Sequence, residues 1–322
     1  MSLITISVII VNYNTKVYTL ECLRSIYEQT QHIDYEIIVV DNASSDGSAK
    51  AIEAEFPDPY LIKSKENLGF ARANNLAAEK AKGEYILLLN PDTVILDGAI
   101  QKLYNFALAH PENLIYGGRT LFGDQSLNPT SCWKKMTLWS LFCSAMGLTS
   151  IFRHTRLFAP ESYGSWQRDT VREVDIVTGC FLLIKKSFWN QLGGFSPEFF
   201  MYGEDADLCF RAKQQGARPI ITPDATIIHY CGVSEKVRAD KMIRLLRAKK
   251  QLVLRHWNIK ILQYFGITLL RLAVFIRMLT LTILHSVGLN QFKEGCECWI
   301  EIWRRRQEWN FCSLNETSTG KK

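Results

Sequence analysis

One acidic turn has the residue types that hold a divalent metal ion. Asn90-Pro91-Asp92 follows the unbroken apolar run Tyr85–Leu89. Mg²⁺ and Mn²⁺ prefer hard oxygen ligands and usually bind phosphates together with one or two carboxylates. Asp92 supplies a carboxylate, whereas Asn90 is neutral and either binds more weakly or orients a ribose or metal-bound waters. The alternative is a plain Pro-Asp turn, which this motif taken alone favours.

A second acidic group has the residues for general-base catalysis. Glu204-Asp205-Ala206-Asp207 stands at the start of a predicted helix. Acids at a helix N-terminus are favoured by the helix dipole, which explains them without any function. The functional interpretation needs one carboxylate that accepts a proton from an acceptor hydroxyl. We assign that role to Asp205, with Glu204 orienting it or binding the acceptor.

Polar residues that follow two other apolar runs are candidates for binding a nucleotide. Asp41 comes directly after Glu36–Val40, where a carboxylate can accept the N3–H of a pyrimidine ring. Its neighbours Ser45-Asp46 are better explained as caps of the next helix. Val11 and Tyr13, at the end of the first apolar run, belong to the same predicted nucleotide-binding site.

Three further residues are weaker candidates. Asn67 and Arg72 lie around a helix start where Gly69 permits close approach of the backbone. A cationic side chain there suits a diphosphate, although an arginine on a first turn is more often simply solvated. His229 ends the last apolar run and could reach the metal or the diphosphate. A histidine at a strand end is more often structural.

These residues need a scaffold that brings them together. Ser7–Val11, Glu36–Val40 and Tyr85–Leu89 are typical of buried parallel strands. Alternation with helical stretches predicts βαβ units, whose ligands bind at the carboxyl ends of the strands. The predicted helices cover 17–29, 47–56, 70–82 and 205–215, the last followed by Gly216, and later strands are predicted at 176–184, 218–222 and 225–229.

Composition indicates a folded α/β core with an appendage. The chain has 322 residues, of which 47% are hydrophobic and 22% charged, so disorder is excluded. The net charge of +6 is concentrated in the C-terminal part, beside apolar helices, which favours an anionic membrane surface and not nucleic acid. The nine cysteines include no CxxC pair, and no secretion signal is evident, so a reduced cytoplasmic setting fits best.

The C-terminal third contains a predicted amphipathic helix. Its apolar residues recur at spacings of three and four: Phe265, Leu269, Leu272, Ile276, Leu279 and Ile283. The stretch is long enough to span a bilayer, but Arg271 and Arg277 would each cost about 2.5–3.5 kcal/mol at its centre. An in-plane interfacial helix is therefore favoured, and packing on the catalytic domain or at a dimer seam is the alternative.

Together these motifs resemble family 2 glycosyltransferases with the GT-A fold, and most of all their bacterial rhamnosyltransferase branch. The resemblance covers about residues 5–235. Its segments are Ser7–Thr15, Glu36–Ser48, Asn67–Asn75, Leu87–Thr93, Thr178–Cys180, Gly193–Asp207 and Ala225–Ser234. Each segment is weak by itself, and the match depends on their order and spacing.

The resemblance implies a Rossmann-like, mostly parallel sheet flanked by helices, with a nucleotide half and an acceptor half. It implies an inverting single displacement assisted by Mg²⁺ or Mn²⁺. The family's D-x-D position falls on Asn90-Pro91-Asp92, where Asn90 replaces the first Asp, so strict metal dependence stays open. By the same resemblance Asp41 contacts the base, Asp205 is the general base, and His229 matches a late histidine that joins the metal site in some members.

We expect a catalytic domain at 1–235, divided near residue 120, a helical and membrane-associated region at 236–314 and a flexible tail at 315–322. The donor is a nucleotide sugar, with dTDP-rhamnose favoured over UDP-sugars. The acceptor is a glycan or a polyprenyl-linked sugar of bacterial surface polysaccharide synthesis. Such an enzyme works in the cytoplasm, peripherally at the inner face of the cell membrane, and its oligomeric state stays open.

Two other functions were weighed against a transferase. A catalytically silent module that only binds nucleotide sugars is the main alternative, and the intact pair Glu204-Asp205 argues against it. A dinucleotide-dependent oxidoreductase is disfavoured because the first strand is followed by Asn12-Tyr13-Asn14-Thr15 and not by GxGxxG. The sequence also contains no P-loop, which disfavours an ATPase.

Overall fold

The computed structural model describes residues 4–231 and 238–310. Its strands are β1 Ile6–Asn12, β2 Tyr35–Asp41, β3 Tyr60–Lys63, β4 Tyr85–Leu89, β5 Thr93–Ile95, β6 Ile115–Leu121, β7 Leu127–Asn128, β8 Cys132–Trp133, β9 Arg172–Glu173, β10 Ile176–Val177, β11 Phe181–Lys185 and β12 Ile220–His229. Its helices are α1 Lys16–Gln29, α2 Ser48–Glu55, α3 Gly69–Lys80, α4 Ala99–Ala109, α5 Leu138–Ala145, α6 Leu148–Ile151, α7 Lys186–Leu192, α8 Glu204–Gln214, α9 Arg238–His256, α10 Lys260–Ser286, α11 Lys293–Arg304 and α12 Arg306–Asn310.

The described chain forms two compact units. The first consists of 4–135 and 154–231, and the second of 136–153 and 238–310. The segment 136–153, which the sequence analysis placed in the acceptor half, therefore belongs to the same unit as the C-terminal helices. The expected tail at 315–322 and the motif residues Gly232–Ser234 lie outside the described residues.

A mixed sheet with the order β3-β2-β1-β4-β11-β6-β12-β5 forms the centre of the first unit. The strands β1 to β4 are mutually parallel, as the βαβ pattern predicts, whereas β11 runs antiparallel between β4 and β6. Val8, Ile9 and Ile10 are fully buried, because helices cover both faces of the sheet as the apolar runs require. The expected α/β fold with a central sheet flanked by helices is confirmed.

Two strand predictions are corrected at the edge that carries the site. The predicted strand at 176–184 is broken at Thr178–Cys180, because the Thr178 hydroxyl binds the carbonyl groups of Thr130 and Ser131 and turns the chain from one sheet to the other. The two predicted strands at 218–222 and 225–229 are one strand, β12, with a bulge between Thr222 and Thr226.

Gly118 explains why β12 can bulge against β6. A Cβ atom at this position would lie 2.1 Å from the Ala225 carbonyl oxygen and 2.7 Å from the Phe181 ring. Only a residue without a side chain lets the two backbones approach so closely. The bulge therefore depends on Gly118 in the neighbouring strand, which the period of β12 alone does not reveal.

The second unit is helical and has its own core. The buried apolar residues of its main cluster are Ala239, Ile243, Leu246, Val274, Trp299, Ile302 and Trp309. The helix α10 has 27 residues and a mean hydropathy of 2.0 in its most apolar window, enough by length and composition to cross a membrane, and only 11% of that window is buried. Helices of this kind also occur in the cores of soluble proteins, where they are mostly covered.

The exposed arginines of α10 have partners within the second unit. The Arg271 side chain donates from Nε to Oδ1 of Asn310 at 2.6 Å. Arg277 lies over the Trp299 ring, 5.0 Å from its centroid, and donates to Ser150. The face opposite the buried Leu270 and Val274 is mainly apolar, with Thr268 and Thr282 as polar residues on or beside it. We call this face the outer stripe, which comprises Ile261, Phe265, Leu272, Phe275, Leu279 and Ile283.

Candidate active site

The turn Asn90-Pro91-Asp92 joins β4 to β5 at the carboxyl end of the parallel strands. The Asn90 N–H donates to the Cys180 carbonyl at 3.1 Å, and the Asn90 carbonyl accepts the Thr93 hydroxyl at 2.7 Å. The Tyr230 N–H donates to the Asp92 carbonyl at 3.0 Å. Both sides of the turn are thus fixed by main-chain hydrogen bonds, and the Asn90 and Asp92 side chains are held at this edge of the sheet.

His229 lies against the side chains of this turn. Its Nε2 atom is 3.3 Å from Oδ1 of Asp92 and 3.2 Å from Nδ2 of Asn90. The pairing of β5 with β12 produces this contact, because His229 is opposite Thr93 in the register. Asp92 and His229 are both 7% exposed, so their polar atoms face each other in a nearly buried site.

The chemistry of Asp92 and His229 fits a divalent cation. An ionised carboxylate oxygen and a deprotonated imidazole nitrogen are both acceptors, so their close contact is unfavourable unless a proton or a cation lies between them. A separation of 3.3 Å suits ligands of one ion, since Mg²⁺ binds its ligands at about 2.0–2.1 Å. Within 4–231 and 238–310 no group of three His, Cys, Asp or Glu side chains forms a complete site. Substrate phosphates and water would therefore supply the remaining ligands.

The electrostatic surroundings of His229 favour a positive charge at this position. Burial lowers the pKa of His229, but the neighbouring Cys180, Asp92 and Cys231 groups raise it further than burial lowers it. The net pKa is well above the ordinary value of a histidine. The Asp92 carboxylate, 3.3 Å from Nε2, gives the site a negative charge that a bound cation would also compensate.

The acid pair Glu204-Asp205 begins α8. Glu204 is 5% exposed, and among the described residues no donor reaches its Oε2 atom. Asp205 accepts the Ala206 N–H at 2.7 Å and the Gly179 N–H at 3.3 Å. Burial, followed by the charge of Asp205, raises the pKa of Glu204 to about 8, and burial also raises the pKa of Asp205. Carboxyl groups with raised pKa values are suited to proton transfer near neutral pH.

The third acid of this group has a structural role. Asp207 is fully buried and accepts the Ser196 hydroxyl at 2.6 Å and Nε of Arg211 at 2.8 Å. Arg211 also donates to the carbonyl groups of Leu192 and Gly194. The ion pair therefore fastens α8 to the loop that precedes it, and Asp207 is not a candidate for the base.

A single turn connects the acid pair to the turn Asn90-Pro91-Asp92. Gly179 donates to Asp205, and the next residue, Cys180, accepts the N–H of Asn90. The Asp205 carboxylate and the Asn90-Pro91-Asp92 turn are thus anchored to consecutive residues of the break between β10 and β11. The two acidic groups, far apart in the sequence, lie at one place in the fold.

Asp41 belongs to a buried network at the ends of β1 and β2. Asn12 donates to Oδ1 of Asp41 at 2.7 Å and to the Ser44 hydroxyl at 3.0 Å, and the Ser44 N–H donates to Oδ2 of Asp41 at 3.3 Å. Asp46 accepts the N–H groups of Lys16 and Ser48 at the starts of α1 and α2, as the capping interpretation proposed for it. Asp41 is therefore held rigidly, with both of its oxygens engaged.

The start of α3 places the remaining donor candidates. Oδ1 of Asn67 accepts Nδ2 of Asn42 and the Gly69 N–H, both at 2.9 Å. Arg72 is exposed, and its Nε donates to the Pro197 carbonyl at 3.4 Å. A Cβ atom at Gly69, whose φ is +77°, would meet the Phe200 carbonyl oxygen at 2.3 Å. The helix α3 is thus attached to the loop that leads to Glu204.

Val11 and Tyr13 differ in their exposure. Val11 is buried in β1 beside Val40, so only its main chain can face a ligand at the strand end. Tyr13 is 37% exposed in the loop that follows. Its ring is therefore available to stack on a nucleotide base.

Comparison with known proteins assigns the chain to a family. Residues 7–191, more than half of its length, match the model of glycosyl transferase family 2. The chain belongs to this family. It is therefore a glycosyltransferase, and its fold is of the GT-A type.

Relatives of this glycosyltransferase include rhamnosyltransferases. It is 26% identical over 212 residues to the N-acetylglucosaminyl-diphospho-decaprenol L-rhamnosyltransferase of Mycobacterium tuberculosis. The match covers 60% of this chain and 66% of the relative, so the chain spans just under two thirds of the relative's length. It is 29% identical over 233 residues to the rhamnosyltransferase WbbL of Escherichia coli, covering 69% and 82% of the two chains.

A solved structure supports the fold of this glycosyltransferase. It resembles the mannosyltransferase PcManGT from Pyrobaculum calidifontis in complex with GDP-Man and Mn²⁺, with a TM-score of 0.56 and 17% identity. The match covers 94% of this chain and 86% of that structure.

Sequence reasoning missed two asparagines that organise the site of this transferase. Asn12 is fully buried and orients Asp41, and Asn42 is 2% exposed and joins the Asp41 loop to Asn67 and Leu68. Both stand at the carboxyl end of a parallel strand, where a polar residue after an apolar run has to find partners. That position was the available indication, but partners 25 to 30 residues away cannot be read from it.

Proposed function

We propose that this transferase moves a sugar from a nucleotide donor to a lipid-linked or glycan acceptor in the synthesis of a bacterial cell-surface polysaccharide. The observation that carries the proposal is the attachment of the pair Glu204-Asp205 and of the turn Asn90-Pro91-Asp92 to consecutive residues, Gly179 and Cys180. A base and a diphosphate site must lie on opposite sides of one anomeric carbon, and this arrangement can hold both.

In the proposed reaction Asp205 takes the proton of the acceptor hydroxyl as its oxygen attacks the anomeric carbon. The bond from that carbon to the diphosphate oxygen breaks, and the configuration is inverted. Glu204 orients the pair or binds the acceptor. Asp92 and His229 would hold a Mg²⁺ or Mn²⁺ ion, with Asn90 as the weaker partner. When bound, the ion neutralises charge on the departing diphosphate.

The donor is held by the network around β1, β2 and α3. Asp41 contacts the base, and Tyr13 and the main chain of Val11 line the nucleotide. Asn67 shapes the start of α3, from which Arg72 reaches toward the diphosphate. We favour dTDP-rhamnose as the donor because two of the relatives are rhamnosyltransferases, and a UDP-sugar is the alternative. A polyprenyl-linked acceptor is favoured by the decaprenol-linked substrate in the name of one relative.

A donor panel tests this function. Purified protein with Mn²⁺ is incubated with dTDP-rhamnose, UDP-glucose, UDP-galactose or UDP-galactofuranose and a polyprenyl-diphosphate N-acetylglucosamine acceptor, and products are identified by mass. We expect release of the nucleoside diphosphate together with a product heavier by one sugar. Thermal stabilisation by a nucleotide without turnover of any donor would favour the silent binding module instead.

We further propose that the second unit binds the inner face of the cell membrane, where a cytoplasmic enzyme meets a lipid-linked acceptor. Lys and Arg greatly outnumber Asp and Glu in 238–310, as an anionic lipid surface would require. The outer stripe extends from Ile261 to Ile283, about 33 Å along the helix at 1.5 Å per residue. Because Arg271 and Arg277 are engaged by Asn310 and Trp299 of the second unit, this face can enter the lipid without burying an unpartnered charge.

Replacing three residues of the outer stripe should release the protein from vesicles. We expect Leu272→Ser, Phe275→Ser and Leu279→Ser together to weaken binding to phosphatidylglycerol vesicles by at least about 100-fold, since each buried side chain contributes about 1.5–3 kcal/mol. Co-sedimentation measures this. The matched control introduces serine at three exposed hydrophobic residues of the first unit. These are Val17, Tyr60 and Leu108, which are 71%, 54% and 53% exposed. Equal binding of both triple variants would contradict membrane binding through α10.

A further inference from the structure

The His229 ring is also held from the side that faces away from Asp92. Its Nδ1 atom lies 3.4 Å from Sγ of Cys231, while Nε2 lies 3.3 Å from Asp92. Cys231 has a φ of +62°, a left-handed conformation that is unusual for a residue other than glycine. This conformation lets the chain turn after β12 so that the sulfur comes back to the ring two residues earlier.

Asn128 holds the sulfur in turn. Its Nδ2 atom donates to Sγ of Cys231 and to the His229 carbonyl, both at 3.1 Å. Its Oδ1 atom accepts the Thr130 N–H at 3.0 Å and the Thr130 hydroxyl at 2.7 Å, which determines which end of the amide faces the sulfur. Asn128 is fully buried, and the Thr120 hydroxyl donates to its carbonyl.

The hydrogen-bond directions around Cys231 form a consistent set. The Thr130 hydroxyl uses its proton on Asn128, so its oxygen can accept the S–H of Cys231, 3.8 Å away. With the S–H directed at Thr130, the sulfur accepts from Asn128 and can also accept from an Nδ1–H of His229. A proton on Nδ1 leaves the lone pair of a neutral imidazole on Nε2, the atom that faces Asp92.

We propose that Cys231 and Asn128 are positioning residues that orient the His229 ring and keep Nε2 available to a divalent cation beside Asp92. The inference rests on the proposed metal site. Histidine ligands generally donate their second ring nitrogen to an acceptor that fixes the ring, and loss of that acceptor typically lowers metal affinity about 10–100-fold. In this chain the acceptor is the Cys231 thiol, which is held by the Asn128 side-chain amide on β7.

The test measures Mn²⁺ affinity directly, by electron paramagnetic resonance of the free ion, with Mn²⁺ alone and with Mn²⁺ plus dTDP. We expect Cys231→Ala and Asn128→Asp to weaken Mn²⁺ binding about tenfold. Cys231→Ser, which keeps an acceptor, should remain within about threefold of the wild type. Cys132→Ala is the control, because Cys132 is a fully buried cysteine of the first unit whose neighbours are Ser131 and Arg168.

Cys231→Gly guards against misfolding, because glycine readily adopts a φ of +62° and still removes the sulfur. A folded glycine variant that binds Mn²⁺ as tightly as the wild type would overturn the positioning role. His229→Ala separates the positioning role of Cys231 from the proposed metal site on which that role rests. If His229→Ala weakens Mn²⁺ binding and the Cys231 variants do not, only the positioning role fails; if His229→Ala has no effect, the proposed metal site itself is wrong.

Discussion

Asp205→Asn should lower kcat at least about 1000-fold while the affinity for the nucleotide donor stays within about twofold. General-base catalysis contributes about 10²–10⁴-fold, and the amide keeps the size of the carboxylate but cannot take the proton of the acceptor hydroxyl. Donor binding should be preserved because Asp41, Asn67 and the turn Asn90-Pro91-Asp92 are unchanged. Turnover of the donor found in the panel and its dissociation constant from calorimetry check both parts.

The neighbouring acid supplies a matched comparison. Glu204→Gln removes a carboxylate of the same buried pair, and we expect a smaller loss than in Asp205→Asn, since Glu204 is assigned to orientation or acceptor binding. A larger loss in Glu204→Gln, with near-normal activity in Asp205→Asn, would exchange the two roles. Activity of Asp205→Asn equal to that of the wild type would remove Asp205 from the mechanism.

The pH dependence of the same pair has a defined direction. Because the pKa values of Glu204 and Asp205 are raised, the base becomes protonated at a higher pH than an ordinary carboxylate would, and wild-type kcat/KM should decline as the pH falls. A folded-state pKa above the unfolded value also means that stability is lost as the pH rises through about 8. Glu204→Gln should therefore raise the Tm relative to the wild type more at pH 9 than at pH 5.

This stability cost is consistent with a functional site. A buried carboxylate whose Oε2 atom has no donor among the described residues destabilises the fold when ionised. Asp207, two residues beyond Asp205, is also a buried acid, but its Oδ2 atom accepts hydrogen bonds from Ser196 and Arg211. The contrast shows that the fold can supply hydrogen-bond donors to an acid at this helix start. Among the described residues it supplies none to Oε2 of Glu204.

The parallel half of the fold could be predicted from sequence because its information is local. The apolar runs before Asn12, Asp41 and Asn90 and the helices between them each follow from period and length. The other half could not, because its geometry depends on distant contacts. The bulge of β12 requires Gly118 in β6, and the break at Thr178–Cys180 requires the carbonyl groups of Thr130 and Ser131.

The site shows the same division between local and distant information. Each acidic motif could be identified from the residues around it, but the role of each acid within the motif could not. The sequence does not distinguish Asp207, which is paired with Arg211, from Glu204, whose Oε2 atom has no donor in 4–231 or 238–310, because the distinction lies in Arg211 and in the loop at Ser196. Likewise, Cys231 follows a strand end without any pattern that links it to Asn128.

The helix α10 illustrates how packing changes an energetic argument. Arg271 and Arg277 counted against a helix in the bilayer when every residue of α10 was weighed alike. In the structure their partners are Asn310, Trp299 and Ser150, all of the second unit. The cost of burying a charge therefore applies to a spanning helix and much less to one that lies in the interface on its outer stripe.

Asp92→Asn should lower kcat/KM about 100-fold and weaken Mn²⁺ binding at least about 30-fold. Position 90 is already neutral, so this change leaves the turn between β4 and β5 without a carboxylate, and a hard cation loses its charged protein ligand. Asp97→Asn is the matched control, because Asp97 follows β5 in the same segment and its side chain is 92% exposed. Mn²⁺ titration and steady-state kinetics over a range of Mn²⁺ concentrations measure the two effects.

The reverse change at the neighbouring position sharpens this prediction. Asn90→Asp adds a second carboxylate to the turn and should tighten Mn²⁺ binding, because a hard divalent ion gains charge from each added acid. It also removes the amide donor that lies 3.2 Å from Nε2 of His229, so the gain should be largest when the cation is present to separate the two acceptors. If Asp92→Asn and Asn90→Asp both leave Mn²⁺ affinity unchanged, the turn does not bind the metal, and the loss of activity in Asp92→Asn would have to come from the diphosphate or the ribose.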